Sequence, residues 1–192
     1  MKFKSKLLIL LILCIAVFVP KQSAASAGNK RILVHDISLK ANLGAQIFSQ
    51  YVIYESGINL SYSADIKISD YFLLGPGVGF DVFEDINLLP LTLNAKAFLN
   101  PNASSVFFNS EVGYSLSWDK SKIELSNYEY LGGLTFSVGG GYRIKISDGS
   151  YLLFNLSYRH QYNDIKYTTF GGSEYIETTN YDFITAGVGI IF

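Results

Sequence analysis

Apolar and polar residues alternate with a period of two through eight successive segments between Ile37 and Phe192, and no stretch there holds a helical period of useful length. Such alternation gives each strand one apolar and one polar face. Leu89, Leu91, Leu93, Ala95, Ala97 and Leu99 oppose Thr92, Asn94 and Lys96. Leu152, Phe154, Leu156 and Tyr158 oppose Asn155, Ser157, Arg159 and Gln161. The same split recurs over 37–47, 58–68, 72–82, 106–118, 134–145 and 184–192, which predicts eight strands. The links between them alternate in length. Ser69-Asp70, Asn100-Pro101-Asn102 and Ser147-Asp148-Gly149 are compact turn signals. Longer links are expected near 49–56, 84–88, 119–130 and 166–179. Short turns at one end and longer loops at the other predict an all-β, eight-stranded antiparallel up-and-down barrel.

Alternation alone leaves two barrels open. A soluble carrier barrel puts its apolar face inside, and a transmembrane barrel puts it outside. Three features favour the membrane. The strands reach about eleven residues, enough to cross a tilted bilayer span. Their apolar faces carry no charge, whereas the polar faces carry charges at mid-strand. Aromatic residues gather at the expected strand ends: Tyr71, Phe72, Phe98, Phe108, Tyr151 and Phe192 at one, and Tyr54, Tyr114, Trp118, Tyr162 and Tyr181 at the other. These read as two interfacial girdles.

The N-terminus fits export. Lys2, Lys4 and Lys6 precede an apolar run from Leu7 to Val19, then Pro20 and the small residues Ser23-Ala24-Ala25-Ser26-Ala27. This order is that of a signal peptide over residues 1–27, with the barrel domain over 28–192. The run is short of the roughly 20 apolar residues of a spanning helix. Leu13 before Cys14 argues against a lipoprotein signal. Removing residues 1–27 takes Lys2, Lys4, Lys6 and Lys21 and no acid. Eleven basic residues then stand against sixteen acidic ones, a net charge of −5. That balance argues against a nucleic-acid partner. The one cysteine leaves with the leader, so no disulfide supports the barrel.

The last segment, Thr185-Ala186-Gly187-Val188-Gly189-Ile190-Ile191-Phe192, resembles the terminal strand of outer-membrane barrels. That resemblance implies an assembly signal carried by Gly187, Ile190 and Phe192 and read by the barrel-assembly machinery, although the family often places an aromatic where Ile190 stands. The chain as a whole resembles small outer-membrane barrels of the OmpX and OmpA-domain kind, and the porin-like "outer membrane protein beta-barrel domain" family of Bacteroidota. Leu73-Leu74-Gly75-Pro76-Gly77-Val78-Gly79-Phe80-Asp81, Leu89-Pro90-Leu91 and Val138-Gly139-Gly140-Gly141-Tyr142-Arg143 carry it. These patterns of glycine and aromatics imply a monomeric barrel in outer-membrane lipid and name no activity.

The polar faces direct Lys40, Asp65, Lys67, Asp81, Lys96, Glu111, Arg143, Lys145 and Arg159 to the lumen. Lys40 with Asp65, and Lys96 with Glu111 and Arg143, are the expected pairs. Eight strands enclose little more than their own side chains, so these charges are expected to plug the lumen as a paired network. Lumen-facing glycines leave room for the long side chains. Gly139-Gly140-Gly141 is no phosphate loop, because no helix follows it.

Chemistry is otherwise sparse. His35 is expected before the first strand. His160 is expected on the lipid face near the external rim, with Tyr162 where a lipid A deacylase would carry serine. No nucleophile–base pair and no metal-ligand spacing is legible, so neither catalysis nor a cofactor is expected. Glu124, Asn127, Tyr128, Glu129, Tyr130, Tyr167, Glu174, Tyr175 and Glu177 make the loops acidic and tyrosine-rich. The reading is a structural or interaction barrel that meets a partner through its loops. A narrow channel and a lipid-modifying enzyme are the alternatives.

Overall fold

The computed structural model describes residues 32–47, 52–83, 86–117, 128–168 and 172–192. The expected leader, Trp118, Glu124 and Asn127 lie outside the described residues. Eight strands follow in order: β1 (Leu33–Ile47), β2 (Val52–Ser69), β3 (Phe72–Phe83), β4 (Asn87–Phe98), β5 (Ser105–Ser117), β6 (Tyr128–Ser147), β7 (Ser150–Thr168) and β8 (Glu174–Ile191). Each pairs antiparallel with the next, and β8 returns to β1 to close the barrel. The seam runs from Asp36 opposite Ile191 to Ile47 opposite Asn180. Closure leaves no edge strand with unpaired backbone.

Burial inverts the usual order of a globular core, and this decides between the two barrels. Asp65, Asp81, Asn42 and Gln161 are wholly buried, whereas Leu43 is 62% and Leu156 60% exposed. Leu39, Ile58, Val112, Leu134, Val138 and Ile184 are exposed too. A soluble carrier would show the reverse. The outer face is built for an apolar surrounding, and the closed ladder satisfies the backbone there as a bilayer requires.

Several expectations need correction. His35 lies inside β1, because pairing continues to Leu33 opposite Ile66. The strands run further towards the loop end than alternation indicated. β2 begins at Val52, β7 reaches Thr168 and β8 begins at Glu174. Much of the expected long loop between β7 and β8 is therefore hairpin. Phe98, Tyr151 and Tyr181 are buried inside the barrel and belong to no girdle. Tyr71, Phe108, Tyr54, Tyr114 and Tyr162 are exposed on the outer side as expected. Lys145 is exposed and pairs with Asp148 in the turn at 2.7 Å, and Lys67 pairs with Asp70 at 2.9 Å. Both lysines serve turns.

The wall is uneven. β6, β7 and β8 have 20, 19 and 18 residues, against 12 each in β3 and β4. At about 3.3 Å per residue, the β6–β8 side stands well above the β3–β4 side at the loop end. The register between β6 and β7 shifts between Tyr130 and Gly132. Gly132 has φ +89°, and a Cβ there would meet the Ser115 carbonyl oxygen at 1.9 Å. Gly132→Ala should therefore destabilise the barrel by about 2 kcal/mol or more, from left-handed strain plus displacement of β5. Urea unfolding of refolded protein would measure it, and an unchanged midpoint would contradict the bulge's role.

Candidate functional site

The inward faces of the strands converge on a lumen filled in three layers. The middle layer is charged. Lys96 Nζ donates to Asp65 Oδ2 at 2.6 Å, lies 3.0 Å from Asp36 Oδ2 and reaches Ser63 Oγ at 3.3 Å. Asp36 also accepts from Ser38 Oγ at 2.6 Å. Lys40 Nζ donates to Glu111 Oε1 at 2.5 Å. Arg159 grips Asp81 with two bonds, Nη1 to Oδ1 at 2.9 Å and Nη2 to Oδ2 at 2.6 Å. Asn59 Nδ2 adds a third bond to Asp81 at 2.7 Å. Arg159 Nη2 also reaches Gln161 Oε1 at 3.1 Å, which accepts from Ser115 Oγ at 2.8 Å. Near the seam, Thr185 Oγ1 donates to Asn42 Oδ1 at 2.8 Å.

Lys40 on β1 meets Glu111 on β5, and Asp81 on β3 meets Arg159 on β7. Each pair joins strands four apart in a ring of eight, so each crosses the full width of the lumen. A water-accessible cavity of about 40 Å³ is left among these side chains, room for a few waters.

The expected partners were different. Lys40 lies opposite Asn59, and Asp65 opposite Val34. Lys96 lies opposite Asn109, and Glu111 opposite Asn94. The long ammonium stems instead reach across the lumen to carboxylates on other walls. Arg143 joins neither Lys96 nor Glu111. It lies at the short-turn end, with its guanidinium carbon 3.9 Å from the centre of the Phe98 ring and 4.2 Å from that of Tyr151. Its Nη2 donates to the Asn100 carbonyl at 2.5 Å. Ser105 Oγ donates to the same carbonyl, and Tyr151 Oη donates to that of Pro101. Arg143 thus ties the β4–β5 turn to the barrel base through cation–π contact and backbone bonding.

Two apolar layers bracket the charges, and neither was anticipated. Leu73, Phe98, Phe107, Tyr151, Leu153 and Ile191 pack at the short-turn end. Phe83, Ile86, Leu88, Tyr181 and Phe183 pack at the loop end. Strict alternation points each of these strand residues inward, so parity could have found them.

On the outer face, His35 Nδ1 lies 2.8 Å from Tyr62 Oη, and its ring stacks on Phe192 at 5.6 Å. Backbone bonds in both directions join His35 to Phe192. At the loop side, His160 Nδ1 lies 2.6 Å from Asp182 Oδ1, which Tyr158 Oη also contacts. The outward position of His160 agrees with its parity; its acidic partner was not anticipated. His160 Nε2 has no hydrogen-bond partner and is buried. Among the described residues, no group of three or more His, Cys, Asp or Glu could hold a metal ion. Beyond the apolar belt, Lys166 pairs with Glu174 at 2.8 Å. The hydrogen bond and the charge of Glu174 hold that ammonium above the usual lysine range. Tyr167 stacks on Tyr175 at 5.8 Å, and Tyr175 and Ile176 are exposed.

No protein-family model matches the sequence, and no curated protein matches it. Solved structures do match in fold. The outer membrane protein AlkL, determined in DMPC lipid bilayers, aligns over 90% of this chain and 94% of its own, at 15% identity and a TM-score of 0.58. Neisserial surface protein A aligns over 81% and 95%, at 10% identity and a TM-score of 0.47. The outer membrane protein OprG from Pseudomonas aeruginosa aligns over 86% and 98%, at 13% identity and a TM-score of 0.46. The fold is that of the small outer-membrane β-barrels.

Proposed function

We propose that this chain is a monomeric, non-enzymatic, integral outer-membrane protein that acts as a closed scaffold and presents its raised β6–β8 wall and loops to a partner outside. The observation that carries this reading is the lumen: ion pairs span its full width, and apolar layers lie on either side. An ion entering would have to shed water and part a buried pair. The exposed Tyr175 and Ile176 above the apolar belt favour contact with a partner over transport.

Planar-bilayer recording of refolded protein tests the closed lumen. The expected result is negligible conductance. Steady, ion-selective openings would replace this reading with a narrow channel. Requirement for detergent, and a gel mobility that changes on boiling, are the expected marks of the membrane barrel. Solubility without detergent would refute it.

In this reading, residues 1–27 are a cleaved export leader, and Gly187, Ile190 and Phe192 form an address for assembly machinery. Phe192→Ala should then lower the amount inserted in the outer membrane more than it lowers the urea midpoint of protein already folded. Equal membrane levels for the two proteins would remove the address.

A further inference from the structure

The outward residues of β7 run Leu152, Phe154, Leu156 and then Tyr158, His160 and Tyr162. Those of β8 run Ile190, Val188, Ala186 and Ile184, and then Asp182. The loop-side edge of the apolar belt lies at this change, and Asp182 is the first charge on the outer face of β8. It stands opposite His160 on one side and Ala45 on the other.

Tyr158 and His160 both bond the same carboxylate oxygen, Oδ1. Oδ2 takes no bond from a described residue, and the side chain is 28% exposed. His160 is packed against Phe136, stacked at 5.2 Å, and Tyr162, edge-on at 4.5 Å. Its Nε2 is buried with no acceptor in reach. The ring therefore meets Asp182 through Nδ1 and offers Nε2 to no described group. Lys166, further up the same hairpin, is engaged by Glu174. A carboxylate at the edge of an apolar belt is costly unless its oxygens are bonded; Oδ2 is left open, and no described Lys or Arg pairs with Asp182.

The surroundings select the kind of cation. Ala45 leaves open ground beside Asp182, and Tyr54, opposite Ala45 on β2, is 88% exposed. A carboxylate with one free oxygen among tyrosine rings suits a primary ammonium. Its N–H groups bond the oxygen, and its charge is attracted to the ring faces. We propose that Asp182, held by Tyr158 and His160 and separated from Tyr54 by Ala45 alone, is a binding site for the primary ammonium headgroup of a membrane lipid. The proposal rests on the barrel lying in a bilayer as described above.

The test is native mass spectrometry of the refolded barrel taken from nanodiscs. Phosphatidylethanolamine is compared with phosphatidylcholine and phosphatidylglycerol of matched acyl chains. The unmutated protein should retain phosphatidylethanolamine over each of the others by roughly ten-fold, the scale of one hydrogen bond to a charged group. Asp182→Asn should bring the lipids to parity. Equal retention of the ethanolamine and choline lipids by the unmutated protein overturns the site, because a quaternary ammonium cannot donate to Oδ2. That comparison decides the matter even if the variant fails to fold. A preference unchanged in a folded Asp182→Asn variant also overturns it. Retention of phosphatidylglycerol only with added Mg²⁺ would replace the ammonium with a bridging divalent ion. Failure of the underlying membrane reading looks different: the protein would not enter nanodiscs at all.

Discussion

Arg159→Met should destabilise the folded barrel by about 3–5 kcal/mol. Asp81 has no exposed surface. Without the guanidinium it keeps only the Asn59 amide among its charge-pairing and hydrogen-bonding partners, so its charge stays buried and largely uncompensated. Replacing both members, Asp81→Leu with Arg159→Met, should cost less than Arg159→Met alone, because no buried charge remains. A double-mutant cycle on urea unfolding of refolded protein measures the coupling. Strictly additive losses would mean that the lumen is wet enough to screen the pair, and would favour the channel.

Lys96→Met should produce a loss of similar or greater size. Lys96 sits between two carboxylates, Asp65 Oδ2 at 2.6 Å and Asp36 Oδ2 at 3.0 Å. Removing the ammonium leaves two like charges in one buried site. The rescue is specific. Adding Asp65→Asn to Lys96→Met should recover most of the stability, because Asp36 keeps its bond from Ser38 and loses its charged neighbour. Adding Glu111→Gln instead should not, because Glu111 is bonded to Lys40 and would leave that ammonium alone. Equal rescue by the two second-site changes would show that the lumen responds to net charge and that the pairs have no individual meaning.

The strands were legible in the sequence because a period of two is a local signal, and every strand kept the parity that its alternation assigned. The face that meets lipid was legible less directly, from strand length and from where charges were absent. The charge pairs were not legible. Parity says that Lys40 and Glu111 point inward, but strand neighbours face each other along the wall, and these two meet across the lumen. That contact depends on closure, strand tilt and side-chain reach, none of which one strand's sequence records. Phe98, Tyr151 and Tyr181 were misplaced for another reason: position near a strand end was given more weight than parity. Asp182 was missed because its partner lies on a different strand, 22 residues away.

The cross-lumen pairs and the seam also bear on how the barrel folds. Arg159 and Asp81 are 78 residues apart, Lys40 and Glu111 are 71 apart, and Asn42 and Thr185 are 143 apart. None can form within a hairpin, and closing such long loops delays the reward for each contact. An unclosed sheet would hold its lysines, arginines and acids unpaired while its other face already seeks lipid. The barrel should therefore mature late and slowly, its charges leaving water only as the seam joins, so that the interior certifies that all eight strands have arrived.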